Sequence, residues 1–334
     1  MTIMVLVKSL VPLFASLAGV VAQSATANLT STGCVDVSGF ESCQKDATAK
    51  ASDCLATARK DGSELEIEAC GCANYIDNIN CAASHCWNRV NECEYQKYAV
   101  AYLRNCPIAK TPLPYFPAPD GAPDACSCNL GKVFLAINST IQQGGKCSSS
   151  TGGADAFSNV QRIQGCECCE VSGALSSIYG LCPDTDPKLI GLSDVSNLEG
   201  LLNTPFDTCS PYMSKFDCVS DFGFSPGTIH TYYNPSNLPQ SGTATLSNKP
   251  GTVTAPASGS VFTYSNAANS KIDTISAAGG GSGSGSGSNS ASGTGAATGT
   301  SATATSTHKS GAGRTALGRG LAFFVLGLVI LALP

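Results

Sequence analysis

The sequence predicts a mostly α-helical protein. It reads as small disulfide-rich helical modules, then an irregular or short-stranded segment and a disordered Ser/Thr/Gly stalk. Two observations carry this. All 18 cysteines lie between Cys34 and Cys218, where apolar residues recur at helical spacing. From Ala277 to Ser310 the chain is almost only Gly, Ser, Thr and Ala, a composition with no core to bury.

The chain opens with Met1–Leu10, carrying a single Lys8, and an apolar run from Leu10 to Val21. Val20-Val21-Ala22 then places small residues at the −3 and −1 positions of a signal-peptidase site, and Ala25-Thr26-Ala27 is a second such site. The first makes residues 1–22 a signal peptide.

The far end has matching logic. Ser310, Gly311 and Ala312 are small, a spacer carrying Arg314 and Arg319 follows, and Leu321–Pro334 is apolar. As a helix those last residues would span about 21 Å, short of a ~30 Å hydrocarbon core. A small-residue site, a polar spacer and an apolar terminus together form a glycosylphosphatidylinositol (GPI) attachment signal. Ser310 is the expected attachment residue, and 311–334 the segment removed.

Between these ends the mature chain keeps 16 Lys and Arg against 24 Asp and Glu, because Lys8, Arg314 and Arg319 fall in the removed segments. A net acidic chain with no basic cluster excludes nucleic acid as a partner and electrostatic binding to anionic lipid. The expected partners are the membrane, through the lipid, and wall polysaccharide or another surface protein. Residence is expected on the outer face of the plasma membrane, with transfer to the cell wall as a further destination.

Secretion places the cysteines in an oxidising compartment, and their even number lets every one be bridged. They are Cys34, Cys43, Cys54, Cys70, Cys72, Cys81, Cys86, Cys93, Cys106, Cys126, Cys128, Cys147, Cys166, Cys168, Cys169, Cys182, Cys209 and Cys218. The pairing is open at this level. The C-x-C pairs 70/72, 126/128 and 166/168 are too close to bridge internally without strain, so each member is expected to pair elsewhere. Zinc sites want C-x-x-C knuckles, and only Cys166/Cys169 has that spacing, interrupted by Cys168, so no metal is expected.

Segment 34–106 reads as a first helical module. Cys43 and Cys54 share a helical face with Ala47 and Ala51. Asp61-Gly62-Ser63 breaks that helix. Leu65, Ala69, Cys72, Ile76 and Ile79 stripe a second, and Cys86 to Arg104 reads as a third, with Cys86, Val90, Cys93 and Val100 inward. Residues 107–125, dense in proline, read as an extended connector or a strap over the module surface.

The second module, 126–218, begins a helix at Leu130, with Phe134, Ile137 and Ile141 as its stripe and Gly144-Gly145 as its end. Val171, Ala174, Leu175, Ile178 and Leu181 mark another helix, stopped before Pro183. Asp186-Pro187 is a start signal for a helix over Leu189–Leu202. Residues 219–276 hold Tyr232, Tyr233, Phe262 and Tyr264 among small and polar residues. Residues 277–310 form the stalk, suited to O-glycosylation. Asn28 and Asn138 head the N-glycosylation sequons.

No constellation points to catalysis. Cys86 beside His85 is expected to be bridged, and His85 to lie at the surface. Glu64, Glu66 and Glu68 alternate and share no helical face, whereas Glu167 and Glu170 can share one; a solvated helix start accounts for both groups. Trp87, Tyr95, Tyr98 and Tyr102 form a stripe at helical spacing; it reads as packing against the second module or the proline strap, and its functional reading is a platform for sugar rings or a partner protein.

The layout of signal peptide, helical cysteine module, Ser/Thr/Gly stalk and GPI signal resembles the GPI-anchored cysteine-rich surface proteins of filamentous fungi. The run Cys70-Gly71-Cys72, then Cys81 and Cys86, is similar to the middle of the CFEM domain, a helical module of fungal surface proteins. Members of that family can hold haem through an Asp near the C-x-C. Here Glu66, Glu68 and Ala69 precede Cys70, and the Asp so placed is Asp124, ahead of Cys126. The reading adopted is a non-catalytic surface glycoprotein without cofactor, with a haem- or iron-binding surface protein as the alternative.

Overall fold

The computed structural model describes residues 29–150, 156–225, 227, 229, 231–266 and 271–279. The expected signal peptide, Asn28, the stalk from residue 280 and Ser310 lie outside them. The described residues belong to one compact unit; a second unit, Ser284–Pro334, falls wholly outside them.

The first helix, α1 (Val37–Asp61), starts where the Asp36 carboxylate accepts the Gly39 N–H, and ends at Gly62, whose φ of 67° is left-handed. Ser63 caps α2 (Glu64–His85) by accepting from the Glu66 N–H. The two helices form an antiparallel hairpin held by three disulfides, Cys34–Cys86, Cys43–Cys81 and Cys54–Cys70. Helix α3 (Cys93–Asn105) closes the module, with Cys72–Cys106 tying it to α2. It starts later than the sequence suggests: Trp87–Arg89 is a separate 3-10 turn. Phe40, Ile79, Ala99 and Tyr102 fill the core between these helices.

Helices α4 (Leu130–Ser150) and α5 (Ala156–Leu181) form a second hairpin. Helix α4 runs straight through Gly144-Gly145, which do not end it. Gly144 is needed for close approach, since a Cβ there would meet the Glu170 side chain from α5. Asp186-Pro187 starts only a 3-10 turn, Pro187–Leu189, and α6 (Leu192–Leu202) begins after it. With α7 (Ser210–Lys215), α6 packs on α5, and Val133, Val171, Ile178 and Val195 form the shared core. Four disulfides fasten this half: Cys128–Cys182, Cys147–Cys166, Cys168–Cys209 and Cys169–Cys218. All described cysteines are bridged, so every C-x-C member pairs elsewhere.

The ninth bond, Cys93–Cys126, joins the two cysteine-rich halves. The proline connector lies against α3: Gln96 donates to the Tyr115 carbonyl and accepts from the Ala118 N–H, and Leu113 and Phe116 are buried.

The cysteine-free segment has a definite path. Ala244 exchanges backbone hydrogen bonds with Asp184 and Asp186, Ser127 donates to Ser247, and Lys249 donates to Ala125. The segment therefore straps across both halves. It ends in an antiparallel hairpin of β1 (Val261–Asn266) and β2 (Lys271–Ser276), registered Val261 to Ser276. The Tyr264 hydroxyl fastens that hairpin to α2 by donating to Asn80 Oδ1 at 2.7 Å. No helix among the described residues is long and apolar enough to cross a membrane.

Candidate functional site

On α1 the residues Glu41, Gln44, Lys45 and Thr48 recur at i, i+3, i+4 and i+7, one polar face beside the buried Phe40 and Ala47. On α2, Asn74 and Asn78 sit one turn apart, and the Asn78 amide donates to the Asn74 carbonyl at 2.8 Å and to its side chain at 3.2 Å. These two rows wall a cleft of about 510 Å³ whose remaining lining includes Thr30, Ser31 and Tyr98.

The N-terminal segment forms one side of it and is held by charge. Arg89 Nη1 donates to the carbonyls of Thr30 at 3.1 Å and Thr32 at 2.6 Å, while Nε and Nη2 each donate to Glu92 at 2.8 Å. Nη2 also reaches Glu94, whose carboxylate accepts the Thr30 N–H at 2.7 Å and hydroxyl at 2.9 Å. The Glu92 carboxylate holds the Arg89 guanidinium protonated above its ordinary range. Leu29 is buried, and its carbonyl accepts from the Gln44 amide at 3.0 Å.

Leu29 and Tyr98 also line a second recess, of about 650 Å³. Its walls carry Arg89, Glu92, Glu94 and Lys97 from the turn before α3 and from α3 itself, and Leu246–Asn248 from the strap. Asn248 Oδ1 accepts the Cys93 N–H at 2.9 Å, so this recess is built where the first half and the strap meet.

The aromatic stripe is not an exposed platform. Trp87, Tyr95, Tyr98 and Tyr102 are at most 6% exposed. Tyr98 and Tyr102 pack on Tyr75 with ring centroids 5.1 and 5.9 Å apart. The Tyr95 hydroxyl donates to the Pro114 carbonyl, and Trp87 Nε1 donates to the Ala278 carbonyl at 2.7 Å. Burial pushes the Tyr102 phenol up to about 12. The stripe faces the core because an amphipathic helix turns its large apolar face inward, and the connector and hairpin cover the rest. Of the four, Tyr98 lines the cleft and the recess beside it, and Tyr95 lines a smaller pocket with Leu29 and Phe40.

His85 is half-buried rather than a surface residue. Its Nδ1 lies 2.8 Å from Asp36 Oδ2, the carboxylate that caps α1. The Gly39 N–H, and secondarily His85, hold that carboxyl below the usual range. Cys86 beside it is bonded to Cys34.

Glu167 and Glu170 sit in the middle of α5, not at a solvated helix start. Burial, with the Glu167 charge second, pushes the Glu170 carboxyl up to about 8. Glu167 is raised by burial and accepts the Thr204 hydroxyl at 2.7 Å. Glu64 and Glu66 do occupy a helix start, the first turn of α2.

Asn138 is half-buried on α4, and the Thr140 hydroxyl of its sequon donates back to the Ala136 carbonyl. Asp124, the residue placed by the CFEM resemblance, has a φ of 58°, and burial followed by the nearby Glu92 charge raises its carboxyl. Among the described residues no three His, Cys, Asp or Glu side chains converge as a metal site.

The polar face of α1 and the Asn74/Asn78 pair are the site residues that reading for catalytic motifs passes over. Their signal was present, as a polar i, i+3, i+4, i+7 spacing on α1 beside buried residues. Comparison of the chain with protein-family models, with curated proteins and with solved structures found no match in any of the three.

Proposed function

We propose that this is a non-catalytic extracellular glycoprotein, GPI-anchored at the cell surface. It presents a disulfide-locked helical head on a Ser/Thr/Gly stalk, and its work is structural, adhesive or partner-binding, at the wall or toward another surface protein. The observation that carries the reading is the bridging of all 18 cysteines in nine disulfides with no thiol left over. That state belongs to an oxidising compartment, and the signals at both ends of the sequence supply entry to it and a lipid anchor. No cofactor is part of the proposal.

The test uses the protein on cells. Treatment with a phosphoinositide-cleaving lipase should release the mature product, and alkylation without reduction should label no cysteine. Retention on the cells together with labelling at several positions would overturn the reading.

A further inference from the structure

We propose that the cleft between α1 and α2 binds a neutral, polyhydroxylated ligand, a short saccharide chain. The inference names a ligand class for the head and does not depend on how the head is anchored.

A sugar hydroxyl donates and accepts at the same atom, so its site must alternate donors with acceptors. This cleft does so. Ser31 takes only Glu41 Oε1, and the Leu29 carbonyl takes only the Gln44 amide nitrogen. Among the described residues Glu41 Oε2 and Gln44 Oε1 are therefore acceptors still open to a ligand. Asn74 uses its carbonyl oxygens to hold Asn78, which leaves its own amide hydrogens as donors. Lys45 adds an exposed ammonium, and the Thr48 hydroxyl, donating to the Gln44 carbonyl, keeps its lone pairs for a donor from the ligand.

These groups are mounted on two helices stapled by Cys43–Cys81 and Cys54–Cys70. A rigid mounting lowers the ordering cost of binding. The volume of about 510 Å³ lies within the ~300–1,000 Å³ of small-molecule sites. Glu41 and Lys45 are one turn apart and offset each other's charge, which disfavours a polyanion or a polycation. A peptide would need apolar anchor pockets, and the only large apolar residues here, Leu29 and Tyr98, are themselves buried.

The experiment screens the mature protein, with its own N-glycans enzymatically removed, against neutral hexose and N-acetylhexosamine oligosaccharides by saturation-transfer NMR and calorimetry. The screen is repeated with a Glu41→Ala/Lys45→Ala double variant and with Asn74→Ala. The double variant changes two exposed side chains, so circular dichroism and melting should stay at wild type. Lys97→Ala, on the neighbouring recess, is the control. The expected result is saccharide binding weakened tenfold or more by either cleft variant and less than twofold by the control. Three outcomes each overturn the inference: no oligosaccharide bound by the parent protein, equal binding by the cleft variants, or preferential binding of peptides. None of them touches the lipase and alkylation results that test surface display.

Discussion

Cys93, the first residue of α3, is bonded to Cys126, and its own N–H donates to Asn248 of the strap at 2.9 Å. One residue thus holds the two cysteine-rich halves and the cysteine-free segment together. Replacing both cysteines, Cys93→Ala/Cys126→Ala, should leave eight disulfides intact by peptide mapping and cost about 2–4 kcal/mol in chemical denaturation. Hydrogen exchange should rise first at Ser127, Ser247 and Lys249, whose backbone bonds cross this junction.

Glu170 makes the second half sensitive to alkali. Its carboxyl titrates at about 8 in the fold, against an ordinary value of 4.5. A group raised by folding contributes its stability in full below the ordinary value and loses it as pH rises through the folded one. Melting temperature should therefore fall between pH 4.5 and 8 beyond any general trend. Glu170→Gln, neutral throughout, should flatten that slope and gain roughly 1–3 kcal/mol at the alkaline end. An unchanged slope would remove the assignment.

Arg89 is the clasp of the N-terminal segment. Its guanidinium spans two glutamates and two carbonyls, a fork that a lysine point charge cannot reproduce. Arg89→Lys should cost about 3 kcal/mol, since the Glu92 side chain is only 9% exposed and would lose its bidentate partner. Limited proteolysis near Thr30 is the sensitive readout.

Gly242 permits the strap to approach the chain after α5. A Cβ there would lie 2.2 Å from the Asp184 carbonyl carbon, a backbone atom that cannot rotate away. Gly242→Ala should cost about 1–3 kcal/mol and expose residues 240–249 to protease, while far-UV circular dichroism stays unchanged.

Trp87, the single tryptophan, reports hairpin docking. Its ring is buried and its N–H meets Ala278, so emission should be blue-shifted in the native protein. Ile275→Asp puts a charge at a buried position of β2 and should red-shift the emission without loss of helicity.

Much of the helical scaffold was legible because disulfide and helix periodicities coincide. Cys43 and Cys54 are 11 residues apart, as are Cys70 and Cys81, and equal spacing on antiparallel helices brings both pairs into register. A parity signal was also present. Each cysteine-rich half holds nine cysteines, so complete pairing forces at least one bond between them, and Cys93–Cys126 is that bond. Gly144-Gly145 misled because a glycine pair reads as a helix end, whereas here the missing side chain makes room for Glu170. The aromatic stripe carried two readings, packing and platform, because spacing alone does not say whether a face meets ligand or core; burial decides for packing.

By itself the sequence determined that the protein is mostly helical and that the cysteines are structural. Those properties are local or compositional: period, caps, breakers and residue counts. Only the tertiary structure decided that residues 240–249 strap both halves, that the tyrosines are core, and that the polar rows of α1 and α2 face each other across a cleft. Each of those depends on contacts between residues far apart in the chain, and a sequence pattern carries the face of an element without its partner.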